Sequence, residues 1–455
     1  MLCFGLVLLC LHHVAGCNEK RVVLYSEVNC RKHVANLTYF GGIGDGKTSN
    51  TKAFKAAIGY LSTRALQGGA MLVVPRGRWL TGPFNLTSHF TLYLDNGAVI
   101  LASQKQSDFP LIPPLPSYGR GRDAVGPRFA SLISGTNLTD VVITGANGTI
   151  DGQGKPWWES FRNKALKNTR PYLIEIIFSN QVQISNITLQ NSPSWHLHPT
   201  YCENVIIQNI TILAPVDSPN TDGINPDSCK NTRIWDSYIV SGDDCIAVKS
   251  GWDEYGIKFG RPTEALSIQR ITCISPTSAT IALGSEMSGG IKDVRAQHIY
   301  ALNTESAVRI KTSPGRGGYV EKIFVRNVFL KTMKYILWMT GGYGQHADDK
   351  YNPNAFPIVR NINYNNIVAE NVTMVGNLSA IANDSFTGIC VSNLVATMAK
   401  TKKKPWAACE YIKGTSRNVT PPACPELAGS KTICPFPTDS LPIEDVKLQN
   451  CENYV

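Results

Sequence analysis

From about Leu138 to Thr373 one pattern keeps returning: a short apolar run of alternating polarity, then Asn or Asp, then a second short apolar run. VVITGANGTI, VQISNITLQN, NVIIQNITIL, TRIWDSYIV, LSIQRITCI, IKDVRAQHIY, KIFVRNVFL and VRNINYNNIV are its clearest copies. Successive copies start roughly 23 to 40 residues apart, the period at which repeats signal a solenoid. A unit this small cannot bury its own apolar face. Stacked on its neighbours it contributes to a continuous core and to stacked parallel sheets. The pattern therefore predicts an all-β chain folded as a right-handed parallel β-helix. An antiparallel sandwich would need two-residue Asn-Gly or Asp-Gly hairpin loops at regular spacing, and these are mostly missing.

Ahead of the repeats, Asn50 is placed to cap a short helix, TKAFKAAIGYL, with Ala53, Phe54, Ala57, Ile58 and Leu61 on one face. Such a helix would close the open apolar end of the solenoid. The Pro- and Cys-rich tail after Lys404 is expected to cover the other end with disulfide-linked loops. The division that follows is a signal peptide at 1–16 and one β-helix domain at 17–455. Within that domain the solenoid and its entry cap span about 38–400, and the C-terminal cap 401–455. A hydrophobic share of 43% against 17% charged residues is ample for such a core.

The first sixteen residues, MLCFGLVLLCLHHVAG, hold a short apolar run ending in small residues, which reads as a secretory signal. Membrane attachment follows only if that segment is retained. Ten N-x-S/T sequons, at Asn36, Asn85, Asn137, Asn147, Asn186, Asn209, Asn371, Asn377, Asn383 and Asn418, together suggest a glycoprotein. Without Cys3 and Cys10, eleven cysteines remain, most of them expected to pair in an oxidising compartment and one to stay free. Cys390, Cys409, Cys424, Cys434 and Cys451 crowd the end of the chain. The net charge of +10 favours a polyanionic partner. With no dense Lys/Arg cluster and an export signal, an acidic polysaccharide fits better than nucleic acid. The expected species is a secreted, extracellular monomer acting at a cell wall.

Gly41 to Thr48, GGIGDGKT, satisfies the phosphate-loop pattern G-x-x-x-x-G-K-[ST]. The export signal, the sequons and the missing βαβ alternation argue against a nucleotide. A glycine turn leading into the capping helix is the expected structure.

Three segments carry the chemistry. Asn220-Thr221-Asp222-Gly223 comes first, Gly242-Asp243-Asp244-Cys245 about one repeat later, and Arg309-Ile310-Lys311 further on. Residues one coil apart in a solenoid stack about 5 Å apart. Asp222 and the Asp243–Asp244 pair can then share one exterior patch. Like charges that close raise at least one pKa, leaving one carboxyl as an acid and another as an ionised base. Glycoside hydrolysis needs that division. On residue type alone a calcium site or plain corner-forming Asp and Asn would also serve. Neither accounts for Arg309 and Lys311, which as alternate residues of a strand face the same side and suit a uronate carboxylate.

With NTDG, GDDC and RIK in that order, the chain resembles the polygalacturonase family of glycoside hydrolases, from GDGKTSNTKAF to about Tyr343. The resemblance implies a right-handed β-helix and hydrolysis of α-1,4 galacturonan (pectin, homogalacturonan) with inversion, without metal or cofactor. It implies Asp243 as general acid, Asp222 and Asp244 as the water-activating pair, and Arg309 and Lys311 on the substrate carboxylate. Asn220 would orient the site, Tyr343 would correspond to a downstream tyrosine, and Cys245 and Cys273 stand where the family commonly has a disulfide. One departure matters: the family usually carries Gly-His-Gly before the strand that ends Gly-Ser, and here Ala279 stands about where that histidine falls. The GSEMSGG stretch resembles a branch with plant and bacterial members. Its Glu286 is a candidate for sugar hydroxyls or a solvated turn carboxylate. His346, Asp348 and Asp349 are candidate rim residues. A rhamnogalacturonan hydrolase on the same scaffold, or a wall protein that binds pectin and turns over slowly, would share these motifs.

Overall fold

The computed structural model describes residues 31–447, so the signal segment and Cys451 lie outside the described residues. Within that span the repeats form parallel ladders. Asn180–Gln190 pairs with Glu203–Leu213, that with Lys230–Val240, that with Thr263–Ile274, and that with Ile291–Lys311, all parallel. Tyr319–Thr340 and Ile358–Ser379 continue the stack. The chain is a parallel β-helix, as the repeat predicts.

The spacing within each copy has a local cause. Val205, Ile207, Ile210 and Ile212 are buried and stack on Val182, Ile184, Ile187 and Leu189 of the preceding coil. Each such side chain contributes roughly 1.5–3 kcal/mol on burial. Between the two apolar runs the chain turns a corner at Asn186, Asn209, Asp236, Asn327 and Asn366, all with φ between +52° and +56°. Asn and Asp tolerate that left-handed conformation better than other side-chain-bearing residues. They also ladder: Asn209 donates to Asn186 Oδ1 at 3.2 Å. The polar residue that punctuates each copy is thus the coil's corner.

A second face positions the site. Ile133–Thr136, Ile174–Ile177 and Leu197–Thr200 stack in parallel. The stack passes through Ile224 into Ile246–Val248, Ala279–Leu283 and the end of Ile291–Lys311. Ile224, Ile246, Ile281 and Val308 point into the core. The residues between them point outward, under the site.

The helix Thr51–Ser62 buries Ala53, Phe54, Ala57, Ile58 and Leu61 as expected. Phe54 stacks on Phe84 with ring centroids 4.4 Å apart. Asn50 is its first flanking residue, but the side chain does not cap the helix. It bonds instead to Ile43 N–H and to the carbonyls of Ile43, Thr48 and Leu80, pinning the glycine turn to the solenoid. In that turn Asp45 accepts from Lys47 N–H, Thr48 N–H and the Thr48 hydroxyl. A carboxylate occupies the amide nest that a phosphate would need.

Two C-terminal disulfides, Cys390–Cys434 and Cys409–Cys424, cross-link the last coils. The tail beyond Cys434 differs from an end plug. It runs back along the flank, where Ile443 and Val446 accept from Arg233 and Asp439 meets Arg295. Leu441, Ile443 and Val446 pack there on Val142 and Ile206. Cys202 and Cys229 are both buried thiols, so more than one cysteine stays unpaired among the described residues. No helix among the described residues is long and apolar enough to cross a membrane.

Candidate active site

Asp222, Asp243 and Asp244 converge: one carboxylate oxygen from each lies within 4.8 Å of the others. Tight stacking of the two coils makes this possible. A Cβ on Gly223 would fall 2.4 Å from the Cys245 carbonyl oxygen, and one on Gly242 would fall 2.0 Å from that of Ser218. The glycines of both acidic motifs therefore let the coils close. The Cys245–Cys273 disulfide, with Cα atoms 6.1 Å apart, ties the second motif to the next coil.

The three carboxyls stand in different surroundings. Asp244 is buried, and Lys311 Nζ lies 2.6 Å from its Oδ2. Ser278 Oγ and Ala279 N–H donate to Oδ1, at 2.5 and 3.1 Å. Burial opposes ionisation, but the Lys311 ammonium and these bonds outweigh it and hold the carboxyl below the usual range. Asp222 is equally buried and lacks such donors. Burial first, and the neighbouring Asp243 second, push it well above the ordinary carboxylate range, against the pull of Lys249. Asp243 is the most open of the three, oriented by Asp244 N–H at 2.8 Å and the Asn220 amide at 3.3 Å. Two of the carboxyls, Asp222 and Asp244, are shifted in opposite directions.

Asn220 sits at φ +56° and accepts from Arg170 at 2.7 Å. Arg170 is buried, pairs with Asp123 and lies 3.8 Å from the Phe161 ring centroid. Beneath Asp222, the His196 ring donates to the Asp222 carbonyl from Nδ1 at 3.0 Å. Burial holds that imidazole down to about 4, so it stays neutral. Ala279, at the expected histidine position, is packed with Ala247 and Ala282, and its amide serves Asp244 directly.

The cavity above the carboxyls has a volume of about 210 Å³. Its walls include Arg122, Trp195, Lys249, Glu286, Lys311 and Tyr343. Glu286 is not a solvated turn carboxylate. It is buried, with Arg122 Nε 2.6 Å from Oε1 and Lys249 Nζ 2.9 Å from Oε2, and these cations hold it well below the usual range. Arg309 and Lys311 do not reach one point. Lys311 turns to Asp244, whereas Arg309 stacks 3.5 Å from the Trp338 ring centroid and is not among the cavity's lining residues. Tyr343 stands near both, 5.7 Å from Arg309 and 6.0 Å from Lys311. His346 and Asp348 are held by Asp253 and Tyr255, and Asp349 is exposed.

Sequence reasoning passed over Arg122, Arg170 and Lys249. Lys249 had a readable signal, a lysine on the strand that leaves GDDC, two residues beyond an outward-facing position. Arg122 and Arg170 lie outside the motifs and are brought in by tertiary packing. As a metal site the carboxyl cluster is a poor donor set. A calcium ion takes about 6–8 oxygens, but Asp244 is already committed to Lys311, Ser278 and Ala279.

The chain matches the family model described as Glycosyl hydrolases family 28 over residues 72–420. It is 62% identical to a "Probable polygalacturonase" from Vitis vinifera over 94% of this chain and 88% of that one. The exopolygalacturonase from Thermotoga maritima superposes with a TM-score of 0.73 at 28% identity, covering 85% of this chain and 91% of that one. The polygalacturonase from Erwinia carotovora ssp. carotovora shares the fold, with a TM-score of 0.63 at 24% identity over 82% of this chain and 95% of that one. The matched segment contains every coil from Asp222 to Lys311 that builds the site, and the chain belongs to glycosyl hydrolases family 28.

Proposed function

We propose that this protein is a secreted polygalacturonase, hydrolysing α-1,4-linked galacturonic acid chains of pectin at an extracellular, cell-wall location. The observation that carries the reading is the convergence of three carboxyls beside buried cations, with Lys311 against Asp244 and no such partner on Asp222. Asp243, the open one, reaches the glycosidic oxygen and protonates it. Asp244, kept ionised by Lys311, accepts a proton from water. Asp222 holds that water with it, in the same cluster as Asp243. Asn220 orients Asp243. Lys249 and Arg122 stand where a uronate carboxylate can be met, with Glu286 fixing both. Tyr343 and Arg309 receive the sugar towards the rim. The names of the relatives and the +10 charge support a polygalacturonate substrate.

Inverting enzymes commonly separate two carboxyls by ~6.5–9.5 Å to seat water across the sugar. The cluster here is tighter. In this reading the attacking water is held between Asp222 and Asp244 and meets the ring on the face opposite the bond that Asp243 protonates, which inverts the anomeric centre. Proton NMR of the first product from polygalacturonate tests this. We expect β-configured reducing ends before mutarotation. An initial α product would refute the assignment of roles.

A further inference from the structure

Arg170 precedes the strand Ile174–Ile177, and its side chain is closed to solvent. A guanidinium carries five N–H donors in a planar fork and has no acceptor. All five are engaged here. Nε donates to Asp123 Oδ2 at 2.9 Å. Nη1 donates to the carbonyls of Pro193 and Pro219, at 3.2 and 2.9 Å. Nη2 donates to Asp123 Oδ1 at 3.2 Å and to Asn220 Oδ1 at 2.7 Å. The Asp123 carboxylate supplies the opposite charge that a buried cation needs. The Phe161 ring, itself part of the cavity wall, covers the guanidinium.

These partners come from three places. Asp123 belongs to the segment that also supplies Tyr118 and Arg122. Pro193 lies in the turn before the strand Leu197–Thr200, and Pro219 and Asn220 lie in the turn that leads to Asp222. Arg170 thus fixes that turn against two neighbours at Asn220, a residue held at φ +56°.

The same contact settles which way the Asn220 amide points. A guanidinium only donates, so the atom that faces it must be the amide oxygen. The NH₂ group is then turned to Asp243, with Nδ2 3.3 Å from Oδ2. The opposite rotamer would set two donors against each other at Arg170 and two acceptors at Asp243. Asp244 N–H holds the other oxygen of Asp243, Oδ1, at 2.8 Å. Each oxygen of the Asp243 carboxyl therefore has a donor, and Arg170 dictates one of the two.

We infer that Arg170 is a positioning residue for the proposed proton donor: by ordering Asn220 it sets the plane in which the Asp243 carboxyl meets the glycosidic oxygen. The inference rests on the hydrolase reading of Asp243. A lysine at position 170 would keep the charge and lose the fork. Its single nitrogen cannot serve Asp123, the two proline carbonyls and Asn220 together. The amide is then free to turn, and only Asp244 N–H still guides the carboxyl.

The test compares parent and Arg170→Lys on polygalacturonate and on α-galacturonosyl fluoride. Fluoride leaves with little need of a proton, so a displaced acid slows the polymer reaction and hardly affects the fluoride. We expect kcat on polygalacturonate to fall by about 10- to 100-fold, in line with the ~10²-fold cost of misplacing a reacting group by ~1 Å. KM should change little, and fluoride hydrolysis should stay near the parental rate. Asp243→Asn, run alongside, should show the same preference for the fluoride. In an Asn220→Ala background, Arg170→Lys should add little further loss, because the two act through one contact. An equal loss on both substrates, an unchanged polymer rate, or full additivity with Asn220→Ala would overturn the positioning role. If Arg170→Lys does not fold, Asp123→Asn loosens the same fork from its other end and is judged by the same comparison. A parent protein inert on both substrates would instead refute the hydrolase reading, and Asp243→Asn failing on both alike would refute its role as acid.

Discussion

Lys311 Nζ lies 2.6 Å from Asp244 Oδ2 with both side chains almost closed to solvent. This contact gives Lys311 a role different from a simple substrate clamp. The ammonium keeps Asp244 ionised in a place where burial alone would protonate it. One coil earlier Asp222 has no comparable partner, and burial with the neighbouring Asp243 raises its carboxyl well above the usual range. A buried cation thus sets two stacked carboxyls apart, lowering Asp244 while Asp222 is raised.

Replacing that cation should therefore change the pH profile as well as the rate. With its folded pKa depressed, Asp244 contributes stability that is present above its unfolded value, ~3.9. That stability is lost as pH falls through the lower folded value. In Lys311→Met the acidic limb of kcat should move to higher pH. The fold should lose about 3–5 kcal/mol, the usual effect of stranding one member of a buried pair. Rate profiles and thermal melts across pH 3–7, an interval of roughly four units around the carboxylate range, check both. An unshifted acidic limb would leave Lys311 a packing residue.

Asp222 has the opposite sign. Its carboxyl is raised, so its contribution to stability is fully present below the unfolded value and is lost as pH rises through the folded one. Asp222→Asn makes the neutral form permanent. We expect this variant to melt higher than the parent at neutral pH while losing about 10²- to 10⁴-fold in kcat, the range for a proton-transfer group. A variant that is less stable at neutral pH would argue against a protonated Asp222.

Glu286 holds Lys249 and Arg122 at once. Glu286→Gln leaves two cations facing each other across one neutral amide. The expected result is lower stability and a higher KM, with kcat changed less, because Lys249 and Arg122, proposed to meet the uronate, lose their anchor while the three carboxyls keep theirs. Steady-state kinetics on oligogalacturonides read the split. A fall confined to kcat would place Glu286 in the chemistry instead.

The coil was readable because its rule is local. Inward Ile and Val alternate along a strand, and a corner residue such as Asn209 must accept a left-handed backbone. The carboxyl cluster was readable for the same reason, since stacking brings Asp222 under Asp244. What short-range patterns cannot carry is the choice among partners. Asn50 has helix-cap chemistry, yet its amide bonds Ile43 in the glycine turn and Leu80 on a neighbouring coil. Glu286 lies in a polar turn sequence, yet two cations from other segments bury it. Arg309 and Lys311 share a strand face, but Asp244 draws one inward and Trp338 holds the other outside. The C-terminal tail has the composition of a cap, and Arg233 and Arg295 recruit it to the flank.

The most direct test of the account is the release of reducing ends from polygalacturonate by Asp243→Asn, beside parent protein of matched thermal stability. Loss of the proton donor should lower the rate by about 10²- to 10⁴-fold with the melting temperature and oligogalacturonide binding retained. A folded Asp243→Asn protein that still liberates reducing ends near the parental rate would contradict it.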